Sequence, residues 1–485
     1  MLPPSMPLSE LLLKLGDVEV KGFSESCVTA VSENSKEVKN GTVFVARRGL
    51  NFDGNNFIRE AISLGACAVV TDNENIKTTE ITMIISKNAS KTMAEIAAAL
   101  YSDAFRDMTV IGITGTKGKT STLKILSECI MSAKKSLVTI STLGAEIYAR
   151  QYEHYDTANT TPEAPFIYKI LYRARALGVK FAVIEVSSQA LAEYRVYGIP
   201  FTVCIFTNIS RDHIGICEHR SFEDYFQAKR SLFRDFAPRT VIANANDKNW
   251  YRITEGCPRV IKVGTGCEYE YRNVRETLFE SEFSLNGKSF AVSLGGEFNG
   301  INAALAIVAA SVVLECDIDA FSDCLRRISV PGRYEVYLLG KIKIVIDFAH
   351  NAQSLTSLLK SVRRQTKGRI ILVFGSVGER CLSRRGELAS VAEKFSDIAV
   401  ITSDNPGRES PEAIAYEIYS HFSDKRKAVT VTDREKAIIY AISAANHDDT
   451  VILAGKGQEN YQLTECGRVY FSERDIIEKL GASKQ

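Results

Sequence analysis

Lys119-Thr120-Ser121, directly behind the glycine-punctuated stretch Gly115-Thr116-Lys117-Gly118, is the set of residues best suited to chemistry in this 485-residue chain. Glycines let successive backbone N–H groups turn inward with no Cβ in the way, and the N-terminus of a following helix adds positive potential where phosphate oxygens would sit. Lys119 can then reach β- and γ-phosphates, and Thr120 can offer its hydroxyl to Mg²⁺. The interval is a shortened form of the phosphate loop, because the strict spacing before Gly118-Lys119 would put glycine where Ile113 stands. Two further groups fit the same chemistry. Glu185 closes the apolar run Phe181-Ala182-Val183-Ile184, and a carboxylate at a strand end downstream of a phosphate loop is where a magnesium ligand is wanted. Asp212-His213, after the run Val203-Cys204-Ile205-Phe206, is a second candidate for the metal or phosphate edge.

These residues need a strand–turn–helix to carry them. The β-branched run at 110–113 predicts the strand, and the apolar spacing from Leu123 to Ile130 predicts the helix. Further apolar runs that end abruptly in polar residues predict a buried parallel sheet whose strand C-termini face a ligand. Before the loop, strand-like TVFVAR at 42–47 and ACAVVT at 66–71 flank a helical pattern, which predicts a small α/β domain; the polar turn GLNFDGNN at 49–56 is a binding loop or a plain connection. Beyond Pro331-Gly332 the alternation is cleaner. Strands at 343–346, 370–374, 398–402 and 450–454 run into Asp347-Phe348-Ala349-His350, Gly375 to Arg380, Ser403 to Arg408 and Gly455 to Glu459, the pattern of a doubly wound domain. The expected fold class is α/β in three domains: 1–105 small and N-terminal, 106–330 central with the phosphate loop and a parallel sheet, and 331–485 Rossmann-like and doubly wound. Pro331-Gly332 is the natural hinge.

Composition narrows the class. Hydrophobic content of 45% and charged content of 24% are those of a soluble globular protein. Sixty basic residues against 58 acidic ones, a formal charge of +2, give no electrostatic footprint for nucleic acid. Eleven cysteines without a C-x-x-C pair read as reduced thiols in a reducing compartment. The apolar start at 11–13 is too short for a signal peptide, and the apolar run at 303–314 has the length of a core helix. A cytoplasmic enzyme with no membrane insertion is expected.

The order and spacing of the motifs resemble the Mur ligase family, ATP-dependent amide-bond-forming enzymes of bacterial cell-wall synthesis. The resemblance rests on GITGTKGKTS at 112–121, NTTPE at 159–163, EVSS at 185–188, TNISRDH at 207–213, DYFQAKRSLF at 224–233, PGRYEV at 331–336, DFAH at 347–350, DNP at 404–406 and AGKGQENYQ at 454–462. It implies that Lys119 is the phosphate lysine, that Thr120 and Glu185 hold Mg²⁺ with His213 close by, and that Lys229 is carried as a carbamate that helps hold a second Mg²⁺. Lys119, Lys229 and His213 are thus the implied catalytic residues. Asn302, Arg333 and Asp347 match the nucleotide side, with ATP between the central and C-terminal domains. The implied substrates are a UDP-muramoyl-dipeptide and a free diamino acid, and the implied state is a monomer. Ser35 and the Asn51 loop would hold the uridine end of the first, with Thr160, Thr161, Ser187 and Arg195 nearer the reacting carboxylate. Arg385, Asp404, Asn405, Pro406, Gly407, Arg408, Gly455 and Glu459 would receive the second. The family chemistry is transfer of the γ-phosphoryl of ATP to a carboxylate, then attack by an amine, with the C-terminal domain closing to exclude water.

Several positions depart from the pattern. Members that add meso-diaminopimelate carry Asp-Asn-Pro-Arg, the arginine forking onto a distal carboxylate; here Gly407 takes that place with Arg408 one residue on, which favours lysine or another diamino acid. Asn34 and Lys36 stand where Asp and Arg flank the uridine-side serine, Gln189 replaces a histidine after the serine pair, and 214–219 looks lengthened. A paralogue acting on another acid, such as a folylpolyglutamate-type ligase, and a nucleotide-binding scaffold that ligates nothing are the competing readings.

Overall fold

The computed structural model describes residues 4–49, 53–75, 81–212, 214–215, 219–379 and 383–484. It divides into two compact units, residues 1–263 with 305–316, and residues 264–304 with 317–485.

The first unit holds two sheets. β1 (Val18–Lys21), β2 (Ala30–Ser32), β3 (Thr42–Ala46), β4 (Ala66–Thr71) and β5 (Thr82–Ser86) form a five-stranded sheet in the order β1-β5-β4-β3-β2, and helix α1 (Ala89–Leu100) follows. The second sheet begins with β6 (Thr109–Thr114), which feeds helix α2 (Lys119–Ser132). It continues through β7 (Leu137–Ser141), β8 (Gly144–Tyr148), β9 (Tyr152–Tyr155), helix α3 (Ala164–Ala176), β10 (Phe181–Glu185), β11 (Val203–Phe206), helix α4 (Phe222–Arg234), β12 (Thr240–Asn244) and β13 (Val260–Gly264). Within this unit the strand order is β9-β8-β7-β10-β6-β11-β12-β13. β6 has parallel neighbours on both sides, β10 and β11, so the order reverses there and the loop after β6 opens at a topological switch point.

One apolar core runs from Leu8 to Ile253 through both sheets. At its seam Tyr101 meets Tyr172 and Phe105 meets Tyr168 edge to face, with ring centroids 5.5 and 5.2 Å apart. Side chains from the segments before and after residue 106, the boundary read from the sequence, thus pack into one apolar cluster.

In the second unit, β14 (Tyr269–Glu276), β15 (Ser281–Leu285) and β16 (Lys288–Val292) make an antiparallel meander. Helix α5 (Glu297–Leu314) follows, its residues from Leu305 onward belonging to the first unit; it is long and apolar enough to cross a membrane by composition, yet Ala303 to Ala310 are fully buried. Then come β17 (Glu335–Leu339), β18 (Ile342–Asp347), α6 (Ala352–Gln365), β19 (Ile370–Phe374), α7 (Ser383–Phe395), β20 (Ile398–Ile401), α8 (Pro411–Ser420), β21 (Ala428–Thr430), α9 (Arg434–Ser443) and β22 (Thr450–Ala454). The hairpin β23 (Tyr461–Thr464) with β24 (Gly467–Tyr470) and helix α10 (Glu473–Lys479) complete it. The sheet order is β21-β20-β19-β22-β18-β17, with Ser483–Lys484 at the β17 edge.

The run IILVF of β19 shows why both faces are covered. Ile370, Leu372 and Phe374 join a core with α6, α7 and α8, while Ile371 and Val373 join a separate core with α9 and α10. Alternate residues of a strand point to opposite faces, so a continuous apolar run is the mark of a doubly wound sheet. The carboxyl ends of the parallel strands β18, β22, β19 and β20 lie along one edge. Pro331-Gly332 sits inside this unit, where a Cβ on Gly332 would lie 2.0 Å from the Gln458 amide nitrogen.

Candidate active site

Gly118 caps α2 in the left-handed region, φ 84°, and turns the chain from the loop into the helix. A Cβ on Gly115 would lie 1.9 Å from the Thr207 hydroxyl, so only glycine lets the loop close on the end of β11. That strand end builds the cradle. The Thr116 amide donates to the Asn208 carbonyl at 2.8 Å, the Lys117 amide to Asn208 Oδ1 at 3.0 Å, and Thr207 Oγ1 to the Lys117 carbonyl at 2.6 Å. Thr116 Oγ1 shares a hydrogen bond with the Tyr225 hydroxyl at 2.9 Å. Lys119 Nζ folds over the loop and donates to the carbonyls of Gly115 and Thr116 at 2.8 and 3.2 Å. Thr120 and Ser121 are buried in the first turn of the helix.

Glu185 pairs in register with Ile113, the penultimate residue of β6. Its side chain is fully buried and accepts from the Thr142 amide and hydroxyl, both at 3.4 Å. Thr142 donates in turn to Thr160 Oγ1 at 3.0 Å. Thr161 Oγ1 donates to the Glu185 carbonyl at 2.7 Å and accepts from the Ser187 amide at 3.0 Å, and Arg195 Nη1 donates to the Thr161 carbonyl at 2.9 Å. Five of the residues named from the sequence, Glu185, Thr160, Thr161, Ser187 and Arg195, thus meet beside the loop. Ion pairs link the cluster to Glu33, two residues before the buried Ser35: Arg47 meets Glu33 and also Glu163, which meets Arg195 at 3.1 Å. Asn51 and His213 lie outside the described residues.

Lys229 arrives from α4. Its Nζ donates to the Gly115 carbonyl at 2.9 Å and lies 4.8 Å from the centroid of the Tyr225 ring. Complete burial, then the like charge of Lys119, push its ammonium well below the usual lysine range; Asp212, which pairs with Lys117 at 3.0 Å, acts the other way. Mg²⁺ takes oxygen ligands and keeps several waters, so beside phosphate it asks for only one or two protein groups. The Thr120 hydroxyl and the Glu185 carboxylate flank the loop and are both buried. The donor set fits.

In the second unit Asp347 ends β18, its two carboxylate oxygens accepting from the Tyr334 and Ala349 amides at 2.8 Å each. The Arg333 guanidinium stacks over the Phe348 ring at 4.5 Å. Asn302 lies one helical turn beyond Phe298, which packs edge-on against Tyr334.

The third cluster is at the ends of β20 and β22. Asn405 Nδ2 donates to Glu459 Oε2 at 2.9 Å, and Lys456 Nζ donates to Asn405 Oδ1 and Glu459 Oε2, both at 2.8 Å, with Asp404 3.9 Å away. A Cβ on Gly455 would meet Asp404 Oδ2 at 2.7 Å. Pro406 is buried, and its carbonyl leaves no room for a Cβ on Gly378. Gly407 has φ +62°, and a Cβ there would lie 2.8 Å from Glu379 Oε2. Arg408 is exposed. Arg385 is buried between Glu409 and Glu417.

Several members of these clusters were not singled out as site residues from the sequence: Thr207, Asn208 and Tyr225 at the loop, and Lys456, Arg434 and Glu473 beneath the third cluster. The available signal for Thr207, Asn208 and Lys456 was their place directly after a predicted strand, and for Tyr225 its place in the motif at 224–233; Arg434 and Glu473 had none.

A phosphate loop at the switch point of a parallel sheet, with a buried carboxylate alongside and a second doubly wound sheet presenting charged loops, defines a nucleotide-dependent α/β enzyme. Family models for the Mur ligase family catalytic domain, the Mur ligase middle domain and the Mur ligase glutamate ligase domain match residues 28–103, 113–310 and 332–457. The chain belongs to the Mur ligase family of ATP-dependent ligases. It is 35% identical over 461 residues to the UDP-N-acetylmuramoyl-L-alanyl-D-glutamate–2,6-diaminopimelate ligase of Aquifex aeolicus, covering 93% of each chain. It is 32% identical to the enzyme of that name from Caldanaerobacter subterraneus, covering 98% of this chain and 99% of the other. A solved structure of a ligase of that name superposes with a TM-score of 0.62 at 26% identity, covering 94% of this chain and 96% of the other.

Proposed function

We propose that this chain is a ligase of the UDP-N-acetylmuramoyl-tripeptide synthetase type, adding a diamino acid to UDP-N-acetylmuramoyl-L-Ala-D-Glu in the cytoplasmic synthesis of peptidoglycan precursors. The observation that carries the reading is the register of Glu185 with Ile113, which sets a buried carboxylate and the Thr160, Thr161, Ser187 and Arg195 cluster against the phosphate loop.

The chemistry answers a physical difficulty. A carboxylate is a poor electrophile, so an oxygen of the D-glutamyl γ-carboxylate bonds to the γ-phosphorus of ATP as the bond to ADP breaks. Lys119 and the loop amides hold the charge that develops on the transferring group. The incoming amine then bonds to the acyl carbon, and phosphate leaves with the former carboxylate oxygen. Mg²⁺, held by Thr120 and Glu185, would supply charge neutralisation during the transfer. Lys229 fits the carbamate role by position and burial, because burial favours the neutral amine that can take up CO₂ and the modification would place an anion beside the loop. Residues 1–105, with Ser35 and Asn51, take the nucleotide-sugar end of the substrate. Residues 106–330 carry the phosphate loop, and Asn302, Arg333 and Asp347 are the residues we assign to the nucleotide. The incoming amino acid occupies the cluster of Arg385, Asp404 to Arg408, Gly455 and Glu459.

Among diamino acids, lysine suits this pocket better than meso-diaminopimelate, the acceptor for which the relatives are named. Where the diaminopimelate pattern has arginine, Gly407 offers no side chain, and the space above its Cα is taken by the Glu379 carboxylate. A distal carboxylate would be repelled by that anion, and a distal ammonium would be attracted to it. ADP release measured over a panel of amino acids tests both points. Turnover should require UDP-muramoyl-dipeptide and amino acid together, with kcat/KM for lysine exceeding that for meso-diaminopimelate by about tenfold or more. Equal use of diaminopimelate would overturn the acceptor assignment, and nucleotide binding without substrate-dependent turnover would overturn the ligase reading.

A further inference from the structure

Beneath the third cluster lies a buried ion pair that the chemistry above does not use. Arg434, the first residue of α9, is 0% exposed, and Glu473, the first of α10, is 1% exposed. Arg434 Nε donates to Glu473 Oε1 at 2.9 Å. The rest of the guanidinium reaches backbone: Nη1 donates to the Ser403 carbonyl at 3.1 Å and Nη2 to the Ala454 carbonyl at 2.8 Å. Ser403 directly precedes Asp404-Asn405, and Ala454 directly precedes Gly455-Lys456. One planar fork therefore joins the ends of β20 and β22 at the two points where their loops begin.

A buried ion pair is weak evidence for stability, because apolar side chains of similar volume fill such a space as well or better. What it supplies, and apolar packing cannot, is direction. The guanidinium fixes two carbonyls relative to one another in a plane, and Glu473 fixes the guanidinium. The second Glu473 oxygen, Oε2, has no hydrogen-bond partner among the described residues, so the pair is kept at some cost in unsatisfied polarity. Above the fork, the proposed amine-site residues Asn405 and Glu459 bond across the two loops, and Lys456 bonds Asn405 across them and Glu459 within its own loop. Their hydrogen bonds all cross from one loop to the other or close within the second. A relative shift of the strand ends would break the two that cross, Asn405 to Glu459 and Lys456 to Asn405, together.

We propose that Arg434 is a positioning residue for the amine-donor pocket, its fork setting the loops at 404–408 and 455–459 in the one relation that lets Asn405, Lys456 and Glu459 meet; the inference rests on the reading of those loops as the amino-acid site. Arg434→Lys keeps the charge but loses the planar fork, so a single ammonium has to choose among Glu473 and the two carbonyls. Its KM for lysine should rise about tenfold, with KM for ATP and for UDP-muramoyl-dipeptide within about twofold of the parent, since small displacements of positioning groups carry penalties of that order or larger. The double variant Arg434→Met/Glu473→Leu removes the charges together and should recover thermal stability while the KM for lysine stays raised. Glu459→Gln serves as the reference for the pocket itself. A raised lysine KM in Glu459→Gln with none in either Arg434 variant would overturn the positioning role and leave the pocket standing. An unchanged lysine KM in Glu459→Gln would instead overturn the pocket, and the positioning role with it. A kinetic defect that follows melting temperature and disappears in the double variant would make Arg434 structural only and would also overturn the proposal.

Discussion

Lys119→Ala is expected to lower kcat by about 10³-fold or more, on the scale of losing a charged group that meets a transferring phosphoryl. Its melting temperature should stay close to that of the parent. The first expectation follows from where the ammonium lies, on the Gly115 and Thr116 carbonyls at the mouth of the loop, with a helix N-terminus behind it. The second follows from how the loop is held. Thr207, Asn208 and Tyr225 fix Thr116 and Lys117 through bonds in which the Lys119 side chain has no part. Steady-state ADP release with a parallel thermal melt separates the two, and near-normal turnover in the variant would remove the phosphate-loop assignment.

The second large effect is expected at Lys229. Lys229→Met, which approximates the lysine's volume beside the Tyr225 ring, should lose about 10²-fold or more in kcat while remaining folded. Lys229→Ala should be equally impaired, but it opens a space beside the Gly115 carbonyl. If the lysine acts as a carbamate, short-chain carboxylates that enter this space should restore part of the activity to the alanine variant and none to the methionine variant. Native mass spectrometry of the parent should also show the added CO₂ and its absence in both variants. A fully active Lys229→Met enzyme would contradict the role outright.

How far these sites were legible in the sequence depends on how local each one is. The phosphate loop lies within one short stretch in which strand, glycines, lysine and hydroxyls are all adjacent, so residue types alone set it out. Glu185 was reachable as the polar end of an apolar run. The cradle formed by Thr207 and Asn208 was not, because it depends on β11 being the neighbour of β6, and no local pattern tells which strands pair. The doubly wound C-terminal sheet was legible from runs such as IILVF, whose alternate residues fill two separate cores. Spacing could not disclose that the segment before residue 106 shares its core with the segment after it, since that core joins side chains as distant as Leu8 and Ile253. Gly407 illustrates the same limit. Its substitution for arginine is plain in the sequence, but the carboxylate of Glu379 filling the space is a fact of the fold.

Isotope transfer offers the most direct measurement of the central claim, that this loop activates a carboxylate for attack by an amine. UDP-muramoyl-L-Ala-D-Glu labelled with ¹⁸O in both oxygens of the γ-carboxylate is turned over with ATP and lysine, and the released phosphate is analysed by mass. One ¹⁸O in each phosphate, with the other retained in the new amide, is the expected result. Phosphate free of label, alongside ADP release, would mean that ATP is hydrolysed by water and that no acyl phosphate forms.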